Sequence, residues 1–305
     1  MNVVEIKNLS KKYGDFLALD NINLTVESHQ IVGLVGPNGA GKTTMIKLIC
    51  SMLLPTNGSI KVFGQDVTKD VIYKENIGYL GENIGYYENF TAYNYLRFFG
   101  TFYRMNGEKL KKTSIEVLKT VGLLNQSNSK ISTFSRGMKQ RLGLARCLLH
   151  EPDLLILDEP MSGLDPTGKK EIMEKLIDIR DSGKTIFLSS HELRYMDDVC
   201  DQICVIKNGK IIAHGTPDTI LTDIKGMSNY VILLKSRDKK IDELQRVFPE
   251  IRELSVKQNI LHLRVKETKD FEKKFLTYLL QNNIDFSIKT HKIDAIYSQI
   301  FEEKT

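Results

Sequence analysis

Residues 31–54 read IVGLVGPNGAGKTTMIKLICSMLL, and this one stretch decides the fold. It opens on Ile31-Val32-Gly33-Leu34-Val35, an apolar run suited to a parallel strand buried on both faces. Gly36-Pro37-Asn38-Gly39-Ala40-Gly41-Lys42-Thr43 then satisfies the pattern G-x-x-x-x-G-K-[ST], with a strand before it and a helix after it. Glycines let the backbone wrap closely enough for successive N–H groups to face phosphate oxygens. The helix start adds a partial positive charge. Lys42 is expected to neutralise the outer phosphates of a nucleotide and Thr43 to offer its hydroxyl to magnesium, with Thr44 beside it. The bland alternative, a chance glycine turn, leaves both flanking elements unexplained. The helix is expected to run from about Thr43 to Leu54, ended by Pro55 and Gly58. A partial echo, Gly183-Lys184-Thr185, lacks the upstream loop and precedes a strand, so it reads as a turn.

The second chemical signal is Leu154-Leu155-Ile156-Leu157-Asp158-Glu159, an aliphatic strand that ends in two acids. In open α/β sheets, ligands sit beyond the carboxyl ends of the strands. Asp158 is therefore expected to hold magnesium, directly or through water. Glu159, one step on, is expected to orient and deprotonate an attacking water. A surface pair of acids is the alternative, and four preceding aliphatics argue against it.

Between and after these elements lie Phe134-Ser135-Arg136-Gly137-Met138-Lys139-Gln140-Arg141, Ser162-Gly163-Leu164-Asp165 and Ser189-Ser190-His191-Glu192. Together with Tyr13, the order of these segments over residues 1 to about 220 resembles the ATPases of ATP-binding-cassette (ABC) transporters. The first resembles that family's signature motif, the second its D-loop and the third its switch histidine. The resemblance implies an α/β fold of the P-loop NTPase class, with a RecA-like core carrying antiparallel β and helical subdomains. It implies ATP and Mg2+ as ligands, and a head-to-tail dimer that sandwiches two ATP molecules. Lys42, Glu159 and His191 would form the catalytic set. Nucleotide would be held by Tyr13, stacked on adenine for about 1 kcal/mol, and by residues 36–44. Ser135 and Gly137 would hold the nucleotide of the other protomer, and Thr43, Asp158 and Glu82 would hold the metal. Taken alone, His191 would be a partly buried structural histidine and Tyr13 a strand-end aromatic.

Three positions depart from the family pattern. Arg136 stands for the first signature glycine and Met138 for the terminal glutamine, while Gly137 keeps its backbone donor. Glu82, in Ile77-Gly78-Tyr79-Leu80-Gly81-Glu82, falls where the family usually carries the Q-loop glutamine. A carboxylate there resembles the bacitracin-type and lantibiotic-immunity exporters. The alternative is a surface acid one or two residues out of register with that loop.

The rest of the sequence sets bounds. With 305 residues, 41% hydrophobic and 27% charged, the chain has material for one large domain or two modest ones. A net charge of +5 fits contact with nucleotide or a lipid surface and does not single out nucleic acid. No run approaches the roughly 18 apolar residues of a membrane span, and no signal peptide is apparent at the N-terminus. The expectation is a peripheral protein on the cytoplasmic side of the cell membrane. Cys50, Cys147, Cys200 and Cys204 lie in apolar segments and read as buried thiols. A metal site from Cys200, Cys204 and His191 lacks a standard spacing and a fourth ligand. Residues 1–224 are expected to form the ATPase domain, with an aromatic-rich helical subdomain over about 84–150 that begins its helix near Ile84. Residues 225–305 are expected to form a small α+β domain of ferredoxin-like β-α-β-β-α-β order with a final helix.

Three functions compete. The first is an ATPase that powers export through a separate membrane permease, paired with a second copy or a related ATPase. The second is a soluble ABC ATPase acting on nucleic acid or ribosomes; a single cassette with no coiled-coil insertion disfavours it, and no nucleic-acid partner is expected. The third is a regulatory nucleotide-binding module, which the intact Lys42, Asp158, Glu159 and His191 disfavour.

Overall fold

The computed structural model describes residues 1–82, 84–192, 195–217, 219–220, 227–234, 243–257, 260–266, 271–282 and 286–288. The chain forms two compact units, Met1–His214 and Gly215–Thr305. The division falls earlier than the 224/225 boundary expected from sequence.

The first unit opens on a long hairpin, β1 (Asn2–Tyr13) and β2 (Phe16–Glu27), turning at Gly14-Asp15. With β4 (Asn57–Val62) and β5 (Gln65–Asp66) it makes an antiparallel sheet in the order β2-β1-β4-β5. The second sheet is built on β3 (Ile31–Val35), whose five residues are all buried, as an all-apolar strand requires. Its other strands are β6 (Ile77–Leu80), β7 (Leu154–Leu157), β8 (Thr185–Ser190), β9 (Gln202–Lys207) and β10 (Lys210–Gly215), in the order β10-β9-β3-β8-β7-β6. The pairs β9-β3, β3-β8, β8-β7 and β7-β6 are parallel. A shared apolar core joins the sheets through Leu9, Leu24, Leu34, Ile46 and Phe187.

Helix α1 (Lys42–Ile49) is shorter than expected. Ser51 turns left-handed at φ 51°, and the Met52 and Leu53 amides donate back to the Lys47 carbonyl at 2.8 and 3.2 Å. That wrap closes the last turn and seats Leu53 against the core, so Pro55 is not what ends the helix. The aromatic-rich segment is also not helical from Ile84. Thr91 caps α2 (Ala92–Phe102) by accepting from the Asn94 amide at 3.1 Å, and the preceding residues form turns. Helices α3 (Gly107–Thr120) and α4 (Arg136–Leu148) complete a helical layer, and α5 (Pro166–Asp181) lies between β7 and β8 in the chain. Tyr95 is fully buried in this layer, while Tyr87, Phe98 and Phe102 face outward. Among the described residues, no helix is long and apolar enough to cross a membrane.

The second unit runs β11 (Met227–Leu234), α6 (Leu244–Val247), β12 (Ile251–Lys257), β13 (Ile260–Lys266), α7 (Phe271–Gln281) and β14 (Phe286–Ile288). The strands pair antiparallel in the order β12-β13-β11-β14, so two strand–helix–strand units interleave. Phe248, Phe271 and Phe275 pack ring to ring at its centre. The expected final helix lies outside the described residues.

Candidate active site: a phosphate cradle facing two acids and a histidine

The turn from β3 into α1 is shaped by close backbone approaches. A Cβ at Gly36 would collide with the Ile206 carbonyl, and one at Gly41 would sit 2.8 Å from the Ala18 carbonyl, at a φ of 109° that disfavours any side chain. The loop is tied down from both sides. The Gly36 amide donates to the Ser190 carbonyl at 3.2 Å and the Gly209 amide to the Ala40 carbonyl at 3.0 Å. Inside it, Lys42 is only 6% exposed. Its Nζ donates to the carbonyls of Gly36 (2.7 Å) and Pro37 (3.2 Å) and lies 3.3 Å from Glu159 Oε1. These are the contacts that an incoming phosphate would exchange for its own oxygens.

The two acids follow β7, as expected, but they play different parts. Asp158 is 1% exposed and accepts the Ser189 hydroxyl at 2.6 Å. The same hydroxyl oxygen accepts the Glu159 amide at 2.9 Å, so one serine of β8 fixes both residues. Glu159 sits at φ 51°, a conformation costly for a residue with a Cβ. That turn aims its carboxylate away from the strand, with Oε2 2.9 Å from His191 Nδ1 and Oε1 toward Lys42. His191 is more open than Glu159, at 38% against 11% side-chain exposure. Behind them, Lys169 of α5 donates to Glu192 at 2.7 Å, which anchors the residue next to the histidine.

These groups share one cleft of about 510 Å³. The structure brings Tyr13, Asn38, Gly39, Gly41, Lys42, Thr43, Thr44, Glu82, Glu159 and His191 to its walls, and Gly36, Pro37 and Ala40 form the loop beneath. Glu82, expected near the metal from its loop position alone, faces the same space. Asp158 does not reach the walls; it lies buried behind them. Ser135 and Gly137 are not in this cleft at all. They line a second one, with Gly163, Leu164 and Asp165, where the Ser135 hydroxyl caps α4 by accepting the Met138 amide at 3.2 Å.

Sequence reasoning passed over Phe16, paired across the hairpin from Tyr13 and 64% exposed at the cleft mouth. It also passed over Ser189, Ser162 and Lys169. Ser189 could have been suspected from its place two residues before His191, and Ser162 from opening the D-loop-like segment; Lys169 carries no local signal. The residues expected to hold a metal carry oxygen donors: the Thr43 hydroxyl and the Glu82 carboxylate line the cleft, and the Asp158 carboxylate lies buried behind its wall. That set fits a hard cation such as Mg2+, which takes one or two carboxylates and completes its shell with phosphate and water. The cysteines form no part of the site. All four are buried and free, and burial pushes the thiols of Cys50, Cys147 and Cys204 up to about 12.

Comparison with known proteins agrees with this geometry. A family model described as ABC transporter matches residues 19–162. The chain is 31% identical to the linearmycin resistance ATP-binding protein LnrL of Bacillus subtilis, over 98% of this chain and 94% of that one. It is 40% identical to the bacitracin transport ATP-binding protein BcrA of Enterococcus faecalis, over 69% of this chain and 68% of that protein. It is 38% identical over 74% of its length to the probable multidrug ABC transporter ATP-binding protein YbhF of Escherichia coli, and spans only 38% of that longer protein. Among solved structures, the dimeric post-hydrolysis state of the ATP-binding cassette MJ0796 bound to ADP and Pi superposes with a TM-score of 0.63 at 27% identity. That match covers 70% of this chain and 98% of the other.

Proposed function

Because this chain belongs to the ABC transporter family of ATP-binding proteins, we propose that it hydrolyses ATP to power export through a separate membrane permease, with peptide antibiotics as cargo. The observation that carries this reading is the meeting of Lys42, Glu159 and His191 within hydrogen-bond and ion-pair range above the glycine loop.

Each residue's part follows from its surroundings. Tyr13 and Phe16 offer aromatic faces to the base, and the amides of residues 38–44 receive the phosphates. Lys42 gives up the Gly36 and Pro37 carbonyls for the β- and γ-phosphates. Asp158, held by Ser189, and Thr43 would hold magnesium, which when bound neutralises charge on the outer phosphates. Glu159 takes a proton from the attacking water, and His191 holds the carboxylate in line and contacts the γ-phosphate. Since Ser135 and Gly137 open on a different cleft from Lys42, the two half-sites are joined by pairing with a second ATPase subunit, head to tail.

The outward aromatics of the helical layer, Tyr87, Phe98 and Phe102, suit a docking face for the permease. Antibiotic cargo is supported by the named roles of the BcrA and LnrL relatives and by Glu82 in the cleft. The second unit, spanned by the LnrL match, is assigned to the dimer's stability or regulation.

The test is phosphate release by the purified chain with and without its permease in vesicles. Magnesium-dependent turnover that rises with the permease, and membrane co-purification that disappears when the permease is deleted, are expected. Full turnover by a lone, monomeric chain that never sediments with membranes would refute the reading.

A further inference from the structure

Next to the nucleotide cleft lies another of about 500 Å³, which shares Glu82, Glu159 and Ser162 with it and is lined as well by Arg136, Lys139 and Glu88. Its charges can be accounted for one by one. Glu159 is engaged by Lys42 and His191. Glu88 is engaged by Lys139 at 2.8 Å. That leaves Glu82 and Arg136, for which no ion pair or hydrogen bond is recorded among the described residues. One is negative and one positive, and both face the same space.

Arg136 is exposed and also lines the cleft that holds Ser135 and Gly137. Its guanidinium lies over Gly163, where a Cβ would collide with it. Its backbone follows the Ser135 cap at the start of α4, while Glu82 follows β6. The two side chains therefore come from separate elements and converge on one cleft. They are also two of the positions where the sequence departs from the family's usual residues: a carboxylate for an amide at 82, and a cation for glycine at 136.

We infer that these departures are one compensated pair, with Arg136 acting as a positioning residue that balances the Glu82 carboxylate in the shared cleft so that a triphosphate can enter beside it. Glu82 by itself adds negative charge at the wall that receives an anion. Both side chains are exposed, so this field is strongest at low ionic strength, where salt screens it least. A cation lining the same cleft offsets it, and glycine at the same position cannot. This rests on the nucleotide-binding reading above and deepens it. The ligand whose affinity is tuned is Mg-ATP, and the tuning resides in a pair of residues that neither touches the other nor belongs to the glycine loop.

The experiment is a double-mutant cycle on the full chain, with Mg-ATP affinity measured by equilibrium titration calorimetry at low salt, which needs no turnover. In the presence of Glu82, Arg136→Gly should weaken Mg-ATP about fivefold, the upper end for an exposed charge pair at low salt. In the Glu82→Gln background, the same substitution should weaken it by less than about threefold. Arg136→Lys, which keeps the charge and loses the planar contact with Gly163, should stay within about threefold of the parent. Equal weakening by Arg136→Gly in both backgrounds would overturn the pairing. So would a loss in Arg136→Lys as large as in Arg136→Gly, because it would assign the effect to packing on Gly163. The result that sinks the nucleotide-binding reading itself is different: no Mg-ATP binding by the parent chain.

Discussion

Glu159→Gln tests the catalytic geometry most directly. The glutamine keeps the shape of the side chain and can still meet His191 and Lys42, but it cannot take a proton at neutral pH. A positioned general base contributes about 100- to 10,000-fold to rate, so kcat should fall by that range, equivalent to about 2.7–5.5 kcal/mol of barrier. Nucleotide affinity should move the other way. The Glu159 carboxylate lies 3.3 Å from Lys42 Nζ, the group that the phosphates must recruit, and neutralising it removes a competitor. Stability without nucleotide should drop only modestly. Both partners are largely buried, at 6% and 11% side-chain exposure, but Lys42 retains the Gly36 and Pro37 carbonyls. A loss of about 1 kcal/mol, or roughly 2–4 °C in Tm, is expected, and saturating Mg-ATP should offset it. The assays are single-turnover phosphate release, calorimetric ATP binding and size-exclusion chromatography in ATP, where the variant should accumulate as a dimer. A kcat within threefold of the parent would remove Glu159 from the role of base, whatever the binding data showed.

Tyr13→Ala should raise the Kd for ATP about two- to twelvefold, from the roughly 0.5–1.5 kcal/mol that aromatic stacking contributes, while Tyr13→Phe stays near the parent; fluorescent-nucleotide titration reads both. Gly36→Ala should weaken ATP binding by more than tenfold, since its Cβ meets the rigid Ile206 carbonyl of β9 and the loop must move to admit it; calorimetry checks this, and unchanged affinity would mean that the loop yields freely. Stability should also depend on pH through His150, whose Nε2–H donates to the Ile77 carbonyl at 2.9 Å and whose ring stacks on Tyr103 at 3.9 Å. Burial holds its pKa below the ordinary 6.5, so the folded state binds fewer protons than the unfolded one. Its contribution is complete above about 6.5 and is lost as pH falls through the lower folded value. Thermal melts should show a decline below pH 6.5 that flattens in His150→Gln, and an identical slope in the variant would assign the decline to other groups.

Much of this protein could be read from its sequence because the deciding signals are local. The strand–loop–helix around Gly36–Thr43 needs only neighbouring residues to declare itself: an apolar run, glycines where the backbone must turn, and a lysine and threonine at the helix start. The aliphatic strand ending in Asp158 and Glu159 is legible for the same reason, as is the alternation of strands and helices in the second unit. Helix ends were less legible. α1 stops where Ser51 turns left-handed as the partly buried Leu53 packs on the core, and α2 waits for the Thr91 cap, because packing outranks propensity at such margins.

The division of labour within the site belongs to the tertiary structure alone. β7 and β8 are neighbours in the sheet, so Ser189 reaches Asp158 and the Glu159 amide, and His191 reaches the Glu159 carboxylate. The same long-range assembly separates Ser135 from Lys42 and brings Arg136 and Glu82 to one cleft. These partners are dozens of residues apart in the chain, and no spacing rule links them. The sequence determined which chemical groups the protein owns and the elements that carry them. Which groups share a space depended on strand order and on the close packing of side chains between layers, and those are properties of the folded whole.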